Sequence, residues 1–238
     1  MSHLHRFYAP SLEAGAARLA LPPDEAHHAA QVARVRAGDE AELFDGLGTV
    51  AQARVLEVTR RDVVLSVESW EQMPLPAPGL TLAVAWLHRD KAIEHVIVHG
   101  TEVGVRRFVF FRSAHSQKAP KENPKWTRWA VEACKQCGRA WLPEFELRSG
   151  IDDVLAEGWG RPVVAAMEGP HEPLRGVAEN GDVVLFIGPE GDFTVEELAL
   201  LGGCGAAPIS LGETTFRSEV AGVLAATLFA HAWGRLGV

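Results

Sequence analysis

From residue 80 onward the chain alternates short, wholly apolar runs with longer stretches of helical spacing, and this alternation most constrains its fold. Residues 81–87, 107–111, 161–167 and 182–187 read as apolar strands. Residues 90–104 place Ile93, Val96, Ile97 and Val103 on one helical face. Residues 124–137 begin with Asn123 as cap and Pro124 at the first helical position, and residues 218–233 form a long apolar helix. Strands apolar on both faces and separated by helices imply a mainly parallel sheet covered on both sides. The fold class expected is therefore α/β.

The pattern before residue 71 is different. Residues 41–44, 49–58 and 62–68 read as short strands, with Asp45-Gly-Leu-Gly48 as a turn and residues 22–32 as a helix. Close spacing of short strands predicts a small β-barrel. Residues 71–79, with three prolines and a glycine, read as a linker. The expected domains are thus 1–72 and 78–238.

Composition narrows the function. Among 238 residues, 47% are hydrophobic, yet no run is long enough to cross a membrane, and residues 1–8 lack the apolar core of a signal peptide. A cytoplasmic protein is expected. Three cysteines do not make a disulfide framework. The net charge of −8 is unevenly spread: residues 106–148 carry 10 Lys/Arg against 4 Asp/Glu, from Arg106 and Arg107 through Lys118, Lys121, Lys125, Arg128, Lys135 and Arg139 to Arg148. Such a stripe is either a solvated face or a polyanion footprint.

Two segments carry the chemistry. Leu185-Phe-Ile-Gly-Pro-Glu-Gly-Asp-Phe-Thr194 and Leu211-Gly-Glu-Thr-Thr-Phe-Arg-Ser-Glu219 each follow an apolar strand and lead through a glycine-bearing loop into a helix. They suggest one small-molecule pocket at the C-terminal ends of adjacent strands. Neither is a phosphate loop, and Glu190 and Asp192 favour a neutral or cationic ligand. Thr194 and Glu197 have capping-box spacing. Arg217, a cation at a helix N-terminus, requires an acidic side chain or an anionic ligand, whereas Glu219 suits that place. Cys134 and Cys137 read as structural rather than metal-binding, no metal set or Ser-His-Asp set emerges, and Trp129 reads as core.

These two runs resemble the RsmE family of ribosomal RNA small subunit methyltransferases, which methylate N3 of a uridine in 16S rRNA. So do EACKQCGR at 132–139, His88-Arg-Asp-Lys91, Thr101-Glu-Val-Gly104 and Phe44-Asp-Gly46. The resemblance covers essentially the whole chain. It implies a PUA-like barrel, a SPOUT domain with a trefoil knot, S-adenosylmethionine as methyl donor, and a homodimer acting on the small ribosomal subunit, without metal or membrane.

By the same resemblance, Ile187, Gly188, Pro189, Glu190, Gly191, Leu211, Gly212, Phe216 and Arg217 bind the cofactor. Arg217, with Glu219 or Glu190 as base, carries catalysis. Arg6, Arg34 and Arg36 of the barrel, and Lys91, Gln136 and Arg139 of the catalytic domain, contact RNA. The chain departs from the family pattern at Asp192, in place of a glycine, at Gln31, in place of an arginine, and at Phe216, Ser218 and Val220, where the family has Leu-Arg-Thr-Glu-Thr. The alternatives are a knotted methyltransferase acting on another RNA, such as transfer RNA, and a non-catalytic RNA-binding assembly factor.

Overall fold

The computed structural model describes residues 4–13, 15–167, 169–179 and 181–237. Met1 to His3, part of the segment read against a signal peptide, lie outside them. The chain divides into two compact units: Met1–Leu75 with Cys134–Leu142, and Pro76–Ala133 with Pro143–Val238.

The first unit is built on β1 (His5–Tyr8), β2 (Arg18–Ala20), β3 (Glu40–Phe44), β4 (Thr49–Val58) and β5 (Val63–Gln72), in the order β1-β3-β4-β5-β2. The β1–β3 pair is parallel and the others are antiparallel. The sequence pattern located β3 and β4 and the start of β5. It did not resolve β1 and β2, which are four and three residues long, too short to show a period. Helix α1 (Pro23–His27) runs into a π-helical turn, His28–Ala33, where one helix was expected. Phe7, Leu19, Leu43, Val55 and Leu65 make the core. Strand β5 continues to Gln72, so the irregular Pro-rich stretch begins two residues later than the linker read from sequence.

Residues 134–142 also cluster with this unit, although the sequence reading placed them with 78–238. Lys135 pairs with Glu25 at 3.1 Å, both side chains about nine-tenths buried, and Trp141 Nε1 donates to the Met73 carbonyl at 3.2 Å. Trp141 lies so close over Gly48 that a Cβ there would meet its ring at 2.4 Å.

The second unit is a six-stranded, all-parallel sheet in the order β11-β9-β10-β6-β7-β8. Its strands are β6 (Leu80–Ala85), β7 (Arg107–Phe111), β8 (Glu144–Arg148), β9 (Arg161–Ala165), β10 (Val183–Ile187) and β11 (Ala207–Ile209). The helices are α2 (Asp90–Glu102), α3 (Lys125–Cys137), α4 (Ile151–Ala156), α5 (Leu174–Ala178), α6 (Val195–Gly203) and α7 (Ser218–Ala232).

Both faces are covered, as all-parallel sheets require. On one, Ala83, Val109, Phe111 and Phe186 meet Ile151 and Val154 of α4 and Leu201 of α6. On the other, α2 lays Gly100 against Phe108 and α7 lays Gly222 against Leu82 and Ile187. There, Trp126 of α3 packs on Phe110, with ring centroids 4.8 Å apart. The buried tryptophan is thus Trp126, 3% exposed, while Trp129, expected in the core, is only half-buried. One helical position decides this: Trp126, Ala130 and Ala133 define the inner stripe of α3. Strand β8, one of the outermost, alternates charged and apolar residues and has no continuous apolar run to announce it.

Candidate functional site

In a parallel sheet every strand ends at the same edge, and here that edge carries a cavity of about 510 Å³. Its walls come from four segments: Ala165 to Met167 after β9, Ile187 to Glu190 and Asp192 after β10, Ser210 to Ala221 after β11 (Glu213 and Val220 excepted), and Arg89 ahead of α2. The two loops read from sequence do converge on one cavity. Their strands are not adjacent, however, because β9 lies between β10 and β11. The third segment was missed because nothing in residues 165–167 departs from an ordinary strand end.

The first loop shows why its residues are small. A Cβ on Gly188 would sit 2.8 Å from Asp192 Oδ1 and 3.2 Å from the Phe193 backbone nitrogen. Asp192 adopts φ 59°, the left-handed region that glycine favours and aspartate tolerates. Its carboxylate accepts from Phe193 N–H at 2.8 Å, and its own N–H donates to the Pro189 carbonyl at 3.0 Å. Aspartate therefore keeps the turn that glycine was expected to make. Gly191 does not line the cavity as expected; it faces outward onto the His115 ring, 3.2 Å from where a Cβ would lie. Thr194 and Glu197 form the expected capping box, and Glu197 Oε1 also accepts from Ala114 N–H at 2.8 Å.

At the start of α7, Arg217 is exposed, borders the cavity, and engages no acidic side chain among the described residues. The cation that pairs with Glu219 is instead Arg89, at 3.4 Å. Glu219 is 8% exposed, and its Oε2 is buried without a hydrogen-bond partner in a wall of the cavity. Leaving a buried carboxylate oxygen unmatched is costly, so the atom marks a place for a donor. Burial and the neighbouring His99 hold His95 below the ordinary imidazole value, against the opposing pull of Glu219 and Glu102. Glu190 is exposed and accepts from His88 N–H at 3.1 Å.

The residues read as RNA contacts are scattered. Lys91 is exposed at the start of α2, and Arg34 and Arg36 are exposed in the first unit. Gln136 is exposed and Arg139 half-buried, both in the segment that clusters with the first unit rather than with the catalytic sheet. Arg6 differs from these exposed cations. Its side chain is 9% exposed, ion-paired with Glu42 at 2.7 Å, donating to the Cys134 carbonyl at 2.6 Å and stacked over Phe44. It is an internal tie, invisible as such to composition because its partners come from distant positions. Burial pushes the Cys134 thiol up to about 12, in keeping with an unreactive structural side chain.

The unit that bears the cavity and the small β unit each match a known family: residues 74–230 match the RNA methyltransferase domain family, and residues 21–68 the RNA methyltransferase PUA domain. The chain is 28% identical over 234 residues to the ribosomal RNA small subunit methyltransferase E of Mycobacterium bovis, covering 92% of this chain and 88% of the relative. It is 31% identical to the probable rRNA-methyltransferase of Porphyromonas gingivalis, with a TM-score of 0.85 over 97% of this chain and 99% of the other. A Legionella pneumophila chain solved with bound SAM is 26% identical, with a TM-score of 0.81 over 96% of this chain and 98% of that one. The chain belongs to the RNA methyltransferase family, within its ribosomal RNA small subunit methyltransferase E (RsmE) branch.

Proposed function

We propose that this protein transfers a methyl group from S-adenosylmethionine to N3 of a uridine in 16S rRNA, acting on the small ribosomal subunit. The observation that carries the reading is the cavity itself, which joins bare backbone at Gly188 and Gly212, apolar walls and a buried acceptor at Glu219. A cavity of about 510 Å³ is in the usual range for a cofactor of this size. The set also fits the cofactor's chemistry, since a sulfonium and an ammonium are cationic and Glu219 and Glu190 are acidic. When bound, S-adenosylmethionine supplies an electrophilic methyl group.

Backbone of Ile187, Gly188, Pro189, Leu211 and Gly212, with the Phe216 ring, would hold it. Gly191 contributes by allowing the loop to close on His115. Arg217, which engages no acidic side chain among the described residues, would face the negative charge that develops on the uracil as N3 loses its proton. Preorganised donors of this kind are worth roughly 3 kcal/mol. Of the two candidate bases Glu219 is favoured, because its Oε2 is unpartnered while Glu190 is engaged by His88. Glu219 would take the N3 proton, leaving N3 free to accept the methyl group that the bound cofactor would supply.

The same reading makes 1–72 an RNA-docking module and 78–238 the catalytic one. It also implies a C-terminal trefoil knot, a homodimer and a cytoplasmic location. The deciding experiment incubates the protein with labelled S-adenosylmethionine and unmodified small subunits and maps the methylated nucleotide by mass spectrometry. Label on N3 of one uridine is expected; none there, with cofactor still bound, overturns the substrate. Arg217→Ala should lower kcat on the order of 10²-fold with cofactor affinity little changed.

A further inference from the structure

We propose that the β7–α3 connection and the first turn of α3 form a phosphate-binding arm that leads the RNA strand to the cavity. Its side chains are Arg112, Lys118, Lys121, Lys125 and Arg128. This rests on the methyltransferase reading above and assigns it a substrate-guiding surface.

The structure separates the basic stripe of 106–148 into two kinds of cation. At its ends the charges are used internally. Arg106 pairs with Asp182 at 2.8 Å, Arg107 pairs with Glu144, Arg148 pairs with Glu146 at 2.9 Å and Glu157 at 2.7 Å, and Lys135 pairs with Glu25 at 3.1 Å. Between these ends, residues 112–128 hold five basic side chains and one acidic one, Glu122. All five are exposed, and among the described residues none is in an ion pair. A protein of net charge −8 has acids to spare, yet among the described residues none forms an ion pair with these five cations. Uncompensated like charges repel one another, and a polyanion relieves that repulsion while releasing its counterions.

The position fits the role. Because the sheet is parallel, the chain leaves β7 at the edge that bears the cavity. The root of the arm is tied to the cavity loop: His115 Nδ1 is 2.9 Å from the Asp192 carbonyl oxygen, and Ala114 N–H donates to Glu197 at 2.8 Å. Ser116 Oγ donates to the Trp86 carbonyl at 3.2 Å, and Trp126 anchors α3 beneath. The cations project from a fixed base. None of the exposed large hydrophobic residues falls within 112–128, so the arm lacks the apolar side chains that a membrane surface would take up. RNA phosphate is the fitting partner.

The test uses the full chain carrying Lys118→Ala, Lys121→Ala and Lys125→Ala together, beside a variant with arginine at the same positions. Affinity for a 16S rRNA fragment is measured from 50 to 300 mM KCl, alongside S-adenosylmethionine affinity and methyl transfer to small subunits. The alanine variant should bind cofactor like wild type, bind RNA more weakly, and lose about two to three units of the salt slope, one per phosphate contact. Its loss in transfer should fall on KM for RNA, and the arginine variant should restore both slope and KM. An alanine variant with the wild-type slope and KM overturns the arm. Wild type that binds cofactor but labels no small subunit overturns the parent reading instead, and the slope with bare RNA still decides the arm.

Discussion

At the scale of single residues, the cavity depends on one pair. Gly188 is bare because the Asp192 carboxylate leans over it, and Asp192 can lean there because it tolerates a left-handed backbone. Gly188→Ala should therefore cost about 1–3 kcal/mol by overpacking and weaken cofactor binding, as read by urea denaturation and calorimetry. Asp192→Gly should be nearly neutral, whereas Asp192→Val should cost about 1–2 kcal/mol at that φ. Equal losses for the two would show that the carboxylate, not the backbone, holds the turn. Cys134 gives a pH prediction. Its thiol is raised from 9.0 to about 12, so above pH 9 the unfolded chain releases a proton that the folded chain retains. Stability should fall as pH rises from 9 towards 12, and Cys134→Ala should flatten that fall in denaturation curves. The glycines and acids of these loops were legible in sequence. Arg89 was not marked as a site residue, because its partner Glu219 is 130 positions away.

At the scale of elements, helix α6 shows a local signal that tertiary structure put to a second use. Thr194 and Glu197 were readable as a capping box, and they form one. Glu197 also receives Ala114 N–H, so the cap ties the β7–α3 connection to the cavity loop. Thr194→Ala should cost about 1 kcal/mol, the ordinary price of a lost cap. Glu197→Ala should in addition loosen residues 113–116, seen as faster amide exchange there. Unchanged exchange at Ala114 would count against the tie. Buried parallel strands such as β7 and β10 announced themselves as apolar runs. Strands β1 and β2 were too short to do so, and β8 too mixed.

At the scale of the whole molecule, ligand binding should stabilise only what it touches. Saturation with S-adenosylmethionine at 100 times its Kd should add about 2.7 kcal/mol to the second unit. Two melting transitions, of which the cofactor shifts only one, would bear out two units; a single shifted transition would show that they unfold together. Sequence by itself determined the α/β class, the position of the change near residue 72, the two loops and the local excess of cations. Each of these is set by neighbours within a few residues: hydrophobic period, turn chemistry, capping, charge count. Tertiary structure decided that β9 divides β10 from β11, that residues 134–142 join the first unit, and that Arg6 is internal. It also decided that, of the cations between 106 and 148, those at 112–128 stay unpaired among the described residues. Those outcomes depend on which distant side chains and strands meet, and strand order and ion pairing between remote positions leave no periodic trace in the chain.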